Sequence, residues 1–444
     1  MHALCAQDIT KKNIFGKVTV YDANGKKVSE GRMKRGQNVG VWKYYDTNGE
    51  LMKTITFRNG VKEGLYTEYH QKEKTTGEYH NNLREGNRIT YESNGIMIRQ
   101  EQYLHDTLNG LLQEWKVNGQ KVKEVKYDKG VVVYEAEWLA SGEMKKYASY
   151  SKGRLHGQFR EYDVPDLKSD TFPHLLIEYR NGLKNGIYQV RKNQLLVYDG
   201  YFKDDLKNGR FVIRDENGQL KSEEHYIDNV YDGVCRYYHQ GIIYREVMFH
   251  NGRLHGTLTE YDSFGMKKKV TWCTENAVDS ALTYNPAGQV TSRKIYRNTP
   301  GHPDKKTAEF SIYNSRGQLM LHGFYRDQLK DSIWTTYYPD GKKNSETPYK
   351  KGAITGTFRK WHANGKLMLQ VNCVNGVYVT DPVIWSPEGK LLNKNAALYR
   401  DILESNLPGD VYDDPSYYEN KRRTGDETPG EYLNEAEPEM PGDE

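Results

Sequence analysis

Glycine recurs along this chain with a period that restricts it to a repeat architecture. Within each run of one series, neighbouring glycines lie 23 or 24 residues apart, with a single step of 29: Gly95, Gly119, Gly142, then Gly218, Gly241, Gly265, Gly288, Gly317, Gly341, Gly365 and Gly389. A second series interleaves with the first: Gly40, Gly64, Gly86, Gly110, Gly157, Gly186, Gly209, Gly233, Gly256 and Gly356. Fixed periods of this length are typical of repeat proteins, so we expect roughly 13 to 15 copies of one unit.

A well-preserved copy of the unit is Gly40–Gly64, which reads GVWKYYDTNGELMKTITFRNGVKEG. Two β-prone runs flank the turn at 46–49, and a second Asn-Gly pair, Asn59-Gly60, connects to the next copy. Asn-Gly between such runs is a strong hairpin signal because both residues tolerate a positive φ. Each unit is therefore predicted to be a β-hairpin. Hairpins joined in series form an antiparallel meander, in which neighbouring copies bury each other's aromatic side chains.

The composition agrees with many short strands joined by tight turns. The chain of 444 residues has 36 tyrosines and 41 glycines, while hydrophobic residues make up only 36%. No apolar run approaches the ~18 residues that indicate a membrane helix. The cysteines Cys5, Cys235, Cys273 and Cys373 are far apart and form no CxxC pair, so we expect the last three to be packed as small apolar residues.

The repeat also points to a known family. The pattern of glycine, short aromatic strand, turn glycine, second strand and Asn-Gly in Gly40–Gly60 and Gly356–Gly376 resembles the MORN repeat, in the bacterial MORN-variant type of YwqK-like antitoxins. The resemblance covers about residues 15–390. It implies an all-β fold, an elongated, twisted antiparallel β-meander of tandem hairpins that serves as a scaffold or binding surface.

Some copies depart from the pattern. Residues 131–142 lack the leading glycine, and Ser332 stands where a glycine is expected. Residues 163–173 insert a Pro- and Asp-rich stretch, and 299–303 account for most of the 29-residue step. Insertions in repeat arrays map to loops, often on the binding face. We therefore take 163–175 and 298–306 as candidate contact loops.

The two ends differ from the repeat array, which we place at residues 15–392. Residues 1–14 admit two interpretations: a remnant of a signal peptide with a lost cleavage site at Ala6-Gln7, or an ordinary cytoplasmic start. Residues 393–403 favour a short helix that caps the last hairpin. Residues 404–444 are rich in Pro, Gly, Asp and Glu, which predicts a disordered acidic tail.

Charge is distributed unevenly between the array and this tail. Residues 401–444 hold 14 acidic and three basic residues, a net charge of −11, which leaves 61 basic and 46 acidic residues, or +15, for the rest. A tethered tail of opposite charge has a high effective concentration for the body. We hypothesise that the tail folds back and screens the basic sheet, with a solubilising tail without specific contacts as the alternative.

The sequence GRLHG occurs twice, at Gly153–Gly157 and Gly252–Gly256, and raises the question of a working histidine. His156 and His255 occupy one repeat position, which elsewhere holds Glu63, Glu85, Asn109, Asn185, Asn208, Asp232 and Thr355. A catalytic base would need defined neighbours in each copy. We therefore interpret GRLHG as the connection between hairpins, with an incidental histidine.

No other motif in the sequence predicts chemistry. It contains no HExxH or HxxxH, no GxSxG and no GxxxxGK[ST], so we expect no catalytic, cofactor-binding or metal-binding residues, no cofactor, and no enzymatic activity. Basic and aromatic residues interleave at 43–45, 236–238 and 359–361. Such stretches could bind nucleic acid or anionic lipid, or a protein, or only pack across strands.

These observations favour a non-catalytic repeat scaffold that binds a protein partner over an extended face of the sheet. An antitoxin-like neutralising binder and a surface for anionic lipid or nucleic acid remain as alternatives. Self-association through the end strands is a further expectation. We favour a periplasmic or secreted location over a cytoplasmic one.

Overall fold

The computed structural model describes residues 15–162, 172–299 and 302–407, which fold into 35 β-strands and one α-helix. These residues divide into two compact units. The first contains the described residues up to 219 together with 227–229, and the second contains 220–226 and the described residues from 230 onward. The helix is too short to span a bilayer, and the described residues contain no other.

The strands of the first unit are β1 (Gly16–Tyr21), β2 (Lys27–Lys34), β3 (Gln37–Tyr45), β4 (Leu51–Arg58), β5 (Val61–His70), β6 (Glu73–His80), β7 (Leu83–Glu92), β8 (Met97–Leu104), β9 (Thr107–Trp115), β10 (Lys121–Asp128), β11 (Val131–Trp138), β12 (Met144–Ser151), β13 (Arg154–Glu161), β14 (Leu175–Arg180), β15 (Leu183–Lys192), β16 (Leu195–Lys203), β17 (Leu206–Lys207) and β18 (Gly209–Arg214). Consecutive long strands pair antiparallel, as β3, β4 and β5 do.

The second unit consists of β19 (Leu220–Ile227), β20 (Val230–Tyr231), β21 (Gly233–His239), β22 (Ile242–His250), β23 (Arg253–Tyr261), β24 (Lys267–Thr274), β25 (Ala277–Tyr284), β26 (Val290–Thr299), β27 (His302–Tyr313), β28 (Leu319–Arg326), β29 (Leu329–Tyr337), β30 (Lys343–Lys350), β31 (Ala353–Ile354), β32 (Gly356–Trp361), β33 (Leu367–Val374), β34 (Val377–Tyr378), β35 (Val383–Ile384) and the helix α1 (Ala397–Asn406). The pairing is again antiparallel between neighbours. The prediction of an all-β meander of tandem hairpins is confirmed.

The turns inside the hairpins, which we call tip turns, follow the pattern of residues 46–49. Gly49 N–H donates to Asp46 O (3.1 Å), and Asp46 Oδ1 accepts the N–H groups of Asn48 (2.9 Å) and Glu50 (2.7 Å). Gly49 has a φ of 84°, whereas Asn48 is not among the residues with a positive φ. This is a type I turn followed by a left-handed glycine, so only the glycine of this Asn-Gly pair uses the positive φ that both residues tolerate.

In the connections between hairpins, which we call joints, both residues of the Asn-Gly pair have a positive φ. Asn59 and Gly60 have φ angles of 50° and 80°, as a two-residue type I′ turn requires. A few residues later, Gly64 has a φ of 98°, and the register between β4 and β5 shifts opposite it. The leading glycine of each repeat therefore forms a bulge in the strand that leaves a joint.

The core of each unit is a row of side chains at the centres of consecutive strands. Trp42, Ile55 and Tyr66 oppose one another on β3, β4 and β5 and are 5%, 5% and 2% exposed. Four strand glycines lie beneath aromatic rings that leave no room for a Cβ atom, in the pairs Gly31–Trp42, Gly77–Tyr66, Gly200–Phe211 and Gly323–Trp334. A large ring on one strand therefore fills the space that a glycine leaves on the neighbouring strand.

The helix α1 covers the last strands of the second unit. Tyr399 and Ile402 pack against Leu369 and Ile384, and Tyr399 Oη donates to Pro382 O (3.1 Å). The helix begins at residue 397 instead of 393, because 393–396 form a turn closed by the Ala396 N–H and the Asn393 carbonyl (3.0 Å). It continues to residue 406, past the predicted start of the tail. The segment 1–14 and tail residues 408–444 lie outside the described residues.

Candidate binding surface

The histidine of the first GRLHG lies at a joint, and it accepts a hydrogen bond from the backbone of the following joint. His156 Nδ1 is 3.3 Å from the backbone N of Asn181, which is the first residue of the following joint. Asn181 has a φ of 56°, so its N–H points away from the strand ladder and needs a local acceptor. The side chain of His156 supplies that acceptor.

Other side chains at this repeat position do the same. Glu63 Oε2 accepts from Asn81 N (2.9 Å), and this N–H holds the pKa of the Glu63 carboxyl below its usual range. The same bond is made by the pairs Glu85–His105, Asn109–Lys129, Asp232–Asn251 and Thr355–Asn375. In these copies the side chain accepts a bond from the next joint, whereas Asn185 and Asn208 donate through Nδ2 to Asp204 Oδ1 (2.7 Å) and Asp228 Oδ1 (3.0 Å). The position therefore favours a polar side chain that bonds to the next joint.

The second GRLHG is surrounded by more charge. His255 Nδ1 lies 3.6 Å from Glu275 Oε1, and Arg253 Nη1 lies 2.8 Å from Glu275 Oε2. Arg253 holds the pKa of the Glu275 carboxyl below its usual range. The nearby His250 Nδ1 is 3.1 Å from Asp232 Oδ2. Within the part of the chain that the structure describes, no three His, Cys, Asp or Glu side chains converge as metal ligands.

The backbone of the joints forms a second connection between repeats. Gly60 N donates to Asn38 O (2.9 Å), and Gly130 N donates to Leu108 O (2.8 Å), each across one repeat. Where the second joint residue is Asn or Asp, its side chain adds a further bond: Asp106 Oδ1 accepts from Arg84 N and Arg84 Nε, both at 2.9 Å. Each joint is thus tied to the next by backbone and side-chain bonds.

The structure describes most of one candidate contact loop and only the end of the other. Residues 163–171 lie outside the described residues, and at the end of that segment the Arg191 guanidinium is 5.0 Å from the ring of Phe172. The segment 298–306 was expected to be a loop. Instead β26 and β27 extend into it, with Asn298 opposite Lys306 and Thr299 opposite His302. Strand pairing across the inserted residues satisfies backbone groups that an open loop would leave to solvent.

The basic and aromatic residues of the sheet largely contact each other. Lysine and arginine cations lie over rings of the same sheet in pairs such as Lys62–Tyr79, Arg84–Tyr103, Lys121–Trp138 and Lys330–Trp334, at 4.3 to 4.9 Å from the ring centroids. Such contacts stabilise a sheet without any ligand. In the triplet 236–238, Arg236 Nε lies 2.7 Å from Glu246 Oε2.

Ion pairs also cross several strands of the first unit. Arg88 pairs with Glu68 (3.6 Å) and with Glu101, which is only 4% exposed. Arg99 pairs with Glu101 (3.0 Å) and with Glu114 (3.3 Å). The alternating ladder therefore occupies these basic side chains with carboxylates of the sheet itself.

The cysteines are placed as expected. Cys235, Cys273 and Cys373 are free and buried, and Cys5 lies outside the described residues. Burial raises the pKa of the Cys235 thiol to about 11, which makes it a poor nucleophile near neutral pH.

Exposed apolar side chains gather at two neighbouring tip turns of the second unit. Phe264 is 86% exposed at the position that Asn48 occupies in its own turn, and Met266 is 46% exposed. The adjacent turn contributes Ile242 and, two residues on, Tyr244, which are 43% and 40% exposed. We call these four residues the tip patch. A repeat alignment could have found it, because Phe264 departs from the Asn of the turn consensus.

Comparison with known proteins identifies the repeat. Four segments match the family described as MORN repeat variant: 38–59, 207–228, 330–351 and 354–375. In each case the carbonyl of the first residue accepts the N–H of the residue that follows the segment, as Asn38 O does from Gly60 N. Each matched segment is thus one hairpin closed by a joint-to-joint bond.

No curated protein matches the chain. Among solved structures, it is similar to a chain of the Photorhabdus luminescens Tc holotoxin pore with the mutation TccC3-D651A, at 9% identity and a TM-score of 0.16, covering 85% of this chain and 24% of that one. It is also similar to the TcdB2-TccC3-TEV crystal structure, at 10% identity and a TM-score of 0.13, covering 87% and 25%. The chain thus spans about a quarter of those chains, and at such TM-scores the likeness supports no inference.

Proposed function

We propose that this chain is a non-catalytic repeat scaffold that binds a protein partner at the tip turns of its sheet. The four MORN-variant segments and the tandem hairpins support a scaffold. A repeat sheet offers many equivalent turns, and a few of them can carry binding residues without altering the fold.

The observation that carries the proposal is the tip patch. A phenylalanine at the third position of a type I turn brings no conformational advantage, and at 86% exposure Phe264 contributes almost nothing to the core. Contiguous exposed apolar residues mark interaction sites in soluble proteins, and aromatic residues dominate the energetics of such sites. The flanking Ile242 and Met266 enlarge the apolar area around Phe264.

A protein partner fits this patch better than a polyanion does. Its four side chains are uncharged, and many cations elsewhere on the sheet contact rings or carboxylates of the sheet itself. An antitoxin-like role is the special case in which the partner is one toxic protein held in a stoichiometric complex.

The test is affinity purification from source cells, followed by reconstitution with the purified partner. The wild-type chain is compared with Phe264→Ser/Ile242→Ser and with Leu65→Ser, a control for an exposed apolar residue of the first unit that is 63% exposed. We expect a one-to-one complex whose Kd rises at least tenfold in the double variant and stays unchanged in the control.

Two results would contradict the proposal. Equal affinity of the double variant would remove the tip patch from the binding site. Recovery of nucleic acid or anionic lipid alone, lost at high salt, would replace the protein scaffold with a polyanion-binding surface.

A further inference from the structure

At three places, neighbouring tip turns are held together by a lysine that follows the turn glycine. Lys26 Nζ donates to Thr47 O (2.8 Å), Lys342 Nζ to Ala363 O (3.3 Å) and Lys366 Nζ to Glu388 O (2.8 Å). In each case the lysine of one turn bonds to a carbonyl of the next turn. The lysine therefore closes the space between two consecutive turns.

This closure is missing between the turns at 285–288 and 314–317. The residue after the turn glycine is Gln289, and its Oε1 accepts from Asn285 Nδ2 within its own turn (2.9 Å). A pocket of about 540 Å³ lies there, with Arg293 and Arg316 among its lining residues. Here a glutamine that bonds within its own turn coincides with an open space between the turns.

The pocket combines positive charge with apolar surface. Leu282, Val290 and Tyr313 line it beside the two arginines. Within the described residues, neither Arg293 nor Arg316 forms an ion pair, in contrast to Arg236 with Glu246. The surrounding segment 267–326 has ten basic and four acidic residues, a net charge of +6. Guanidinium groups without partners favour carboxylates, and the apolar lining favours an aromatic or aliphatic neighbour of the carboxylate.

The chain itself contains a segment with this chemistry. Residues 408–444 hold 12 acidic and three basic residues, a net charge of −9, and include the sequence VYDDPSYYE at 411–419, where tyrosines adjoin carboxylates. We propose that this acidic C-terminal segment docks in the pocket between the two turns through Arg293 and Arg316. The proposal is independent of the protein partner at the tip patch.

The length of the segment permits this contact. It follows α1, which packs on β33, and β33 lies six strands from β26, which carries Arg293, roughly 30 Å at the usual strand spacing. The 37 residues after Leu407 can span up to ~120 Å when extended. Tethering also raises the local concentration of the segment at the pocket.

The test uses a natural trypsin site in this segment, the sequence Lys421-Arg422-Arg423, which adjoins the acidic and aromatic stretch. Release of the peptide that begins at Thr424 is followed by mass spectrometry at low salt in the full-length chain. We compare the wild type with Arg293→Gln/Arg316→Gln. The control is Lys342→Gln/Lys366→Gln, which removes two positive charges from other tip turns.

If the segment docks, cleavage accelerates at least threefold in the arginine variant and not in the control. Asp413→Asn/Asp414→Asn should give the same acceleration, and combining it with the arginine variant should add nothing further. The wild-type rate should be independent of protein concentration. Equal rates in the wild type and the arginine variant, equal acceleration in the control, or slower cleavage at higher protein concentration would each overturn intramolecular docking.

Discussion

The strands turn at two opposite edges of the sheet, one formed by the tip turns and the other by the joints. Both edges use the dipeptide Asn-Gly, but for different purposes. In a tip turn such as 46–49, the side chain of Asp46 bonds to backbone groups of its own turn. In a joint such as Asn59-Gly60, the bonds reach another repeat, as from Gly60 N to Asn38 O. The backbone groups of a tip turn are therefore satisfied within that turn, with a lysine bond to the next turn at three places, whereas the joints couple hairpins through their backbone along the array.

This difference explains where sequence variation is tolerated. A residue at a tip without such a lysine bond can change without disturbing a neighbouring repeat, and Phe264 and Arg316 both lie at tips of this kind. At a joint the replacement must keep a polar bond to the next repeat, and Glu63, His156 and Thr355 each accept the same backbone bond at one position. The joints maintain the array, and the tips are free to acquire binding residues.

The largest effect is expected from insertions at the two edges. Inserting Gly-Ser-Gly between Arg58 and Asn59 displaces the bond to Asn38 and the bonds of the next joint, a loss of roughly 2–3 kcal/mol at about 1 kcal/mol each. The same insertion between Thr47 and Asn48 should cost about 1 kcal/mol, because long surface loops are tolerated. Native-state hydrogen exchange of the amides in β3 to β5 measures the loss of stability caused by each insertion. Equal destabilisation by both insertions would refute the distinction between the edges.

A smaller difference is expected when an aspartate is removed from each edge. Asp106→Ala deletes the acceptor of Arg84 and places alanine at a φ of 64°, for a loss of about 1.5 kcal/mol in the free energy of unfolding. Asp46→Ala deletes local turn bonds only, for about 0.5 kcal/mol. Urea denaturation followed by tryptophan fluorescence compares them. A larger loss in Asp46→Ala would contradict the assignment of inter-repeat coupling to the joints.

One joint-edge position is predicted to be strained. Ser332 replaces the leading glycine of its repeat and adopts a φ of 64°. Ser332→Gly should raise stability by about 1 kcal/mol, since relief of left-handed strain exceeds the added entropy of the unfolded chain. Gly209→Ser is the reciprocal control, at a φ of 84° with open space around the added side chain, and should destabilise by a similar amount. Thermal unfolding of both variants provides the measurement, and a stabilised Gly209→Ser would argue against strain.

The smallest effect is expected from a variant that removes the charge at a joint but keeps the hydrogen-bond acceptor. Arg84 holds the pKa of the Asp106 carboxyl below its usual range, so this pairing stabilises the fold above about pH 4 and is lost as the pH falls through the folded value. Asp106→Asn keeps an acceptor for Arg84 N but loses the charge. It should cost about 0.5 kcal/mol at pH 7 and progressively less as the pH falls below about 4. An unchanged cost at pH 3 would show that the charge is irrelevant.

Much of the fold could be predicted from sequence, because its signals are local. The glycine period and the Asn-Gly pairs located the hairpins, since a positive φ is a property of individual residues. The helix was predicted, although its start was placed before the turn at 393–396. The prediction of a loop at 298–306 was wrong, because the strand pairing between β26 and β27 extends into the insertion.

By itself, the sequence determined the repeat length, the hairpin and the absence of a recognisable catalytic motif. Only the tertiary structure decided which Asn-Gly pairs form type I′ turns, what His156 does, and where a pocket opens. Each of these depends on a partner 20 to 30 residues away, as His156 depends on Asn181. Such partners meet only when the register between two hairpins is fixed, and register follows from packing across the whole repeat.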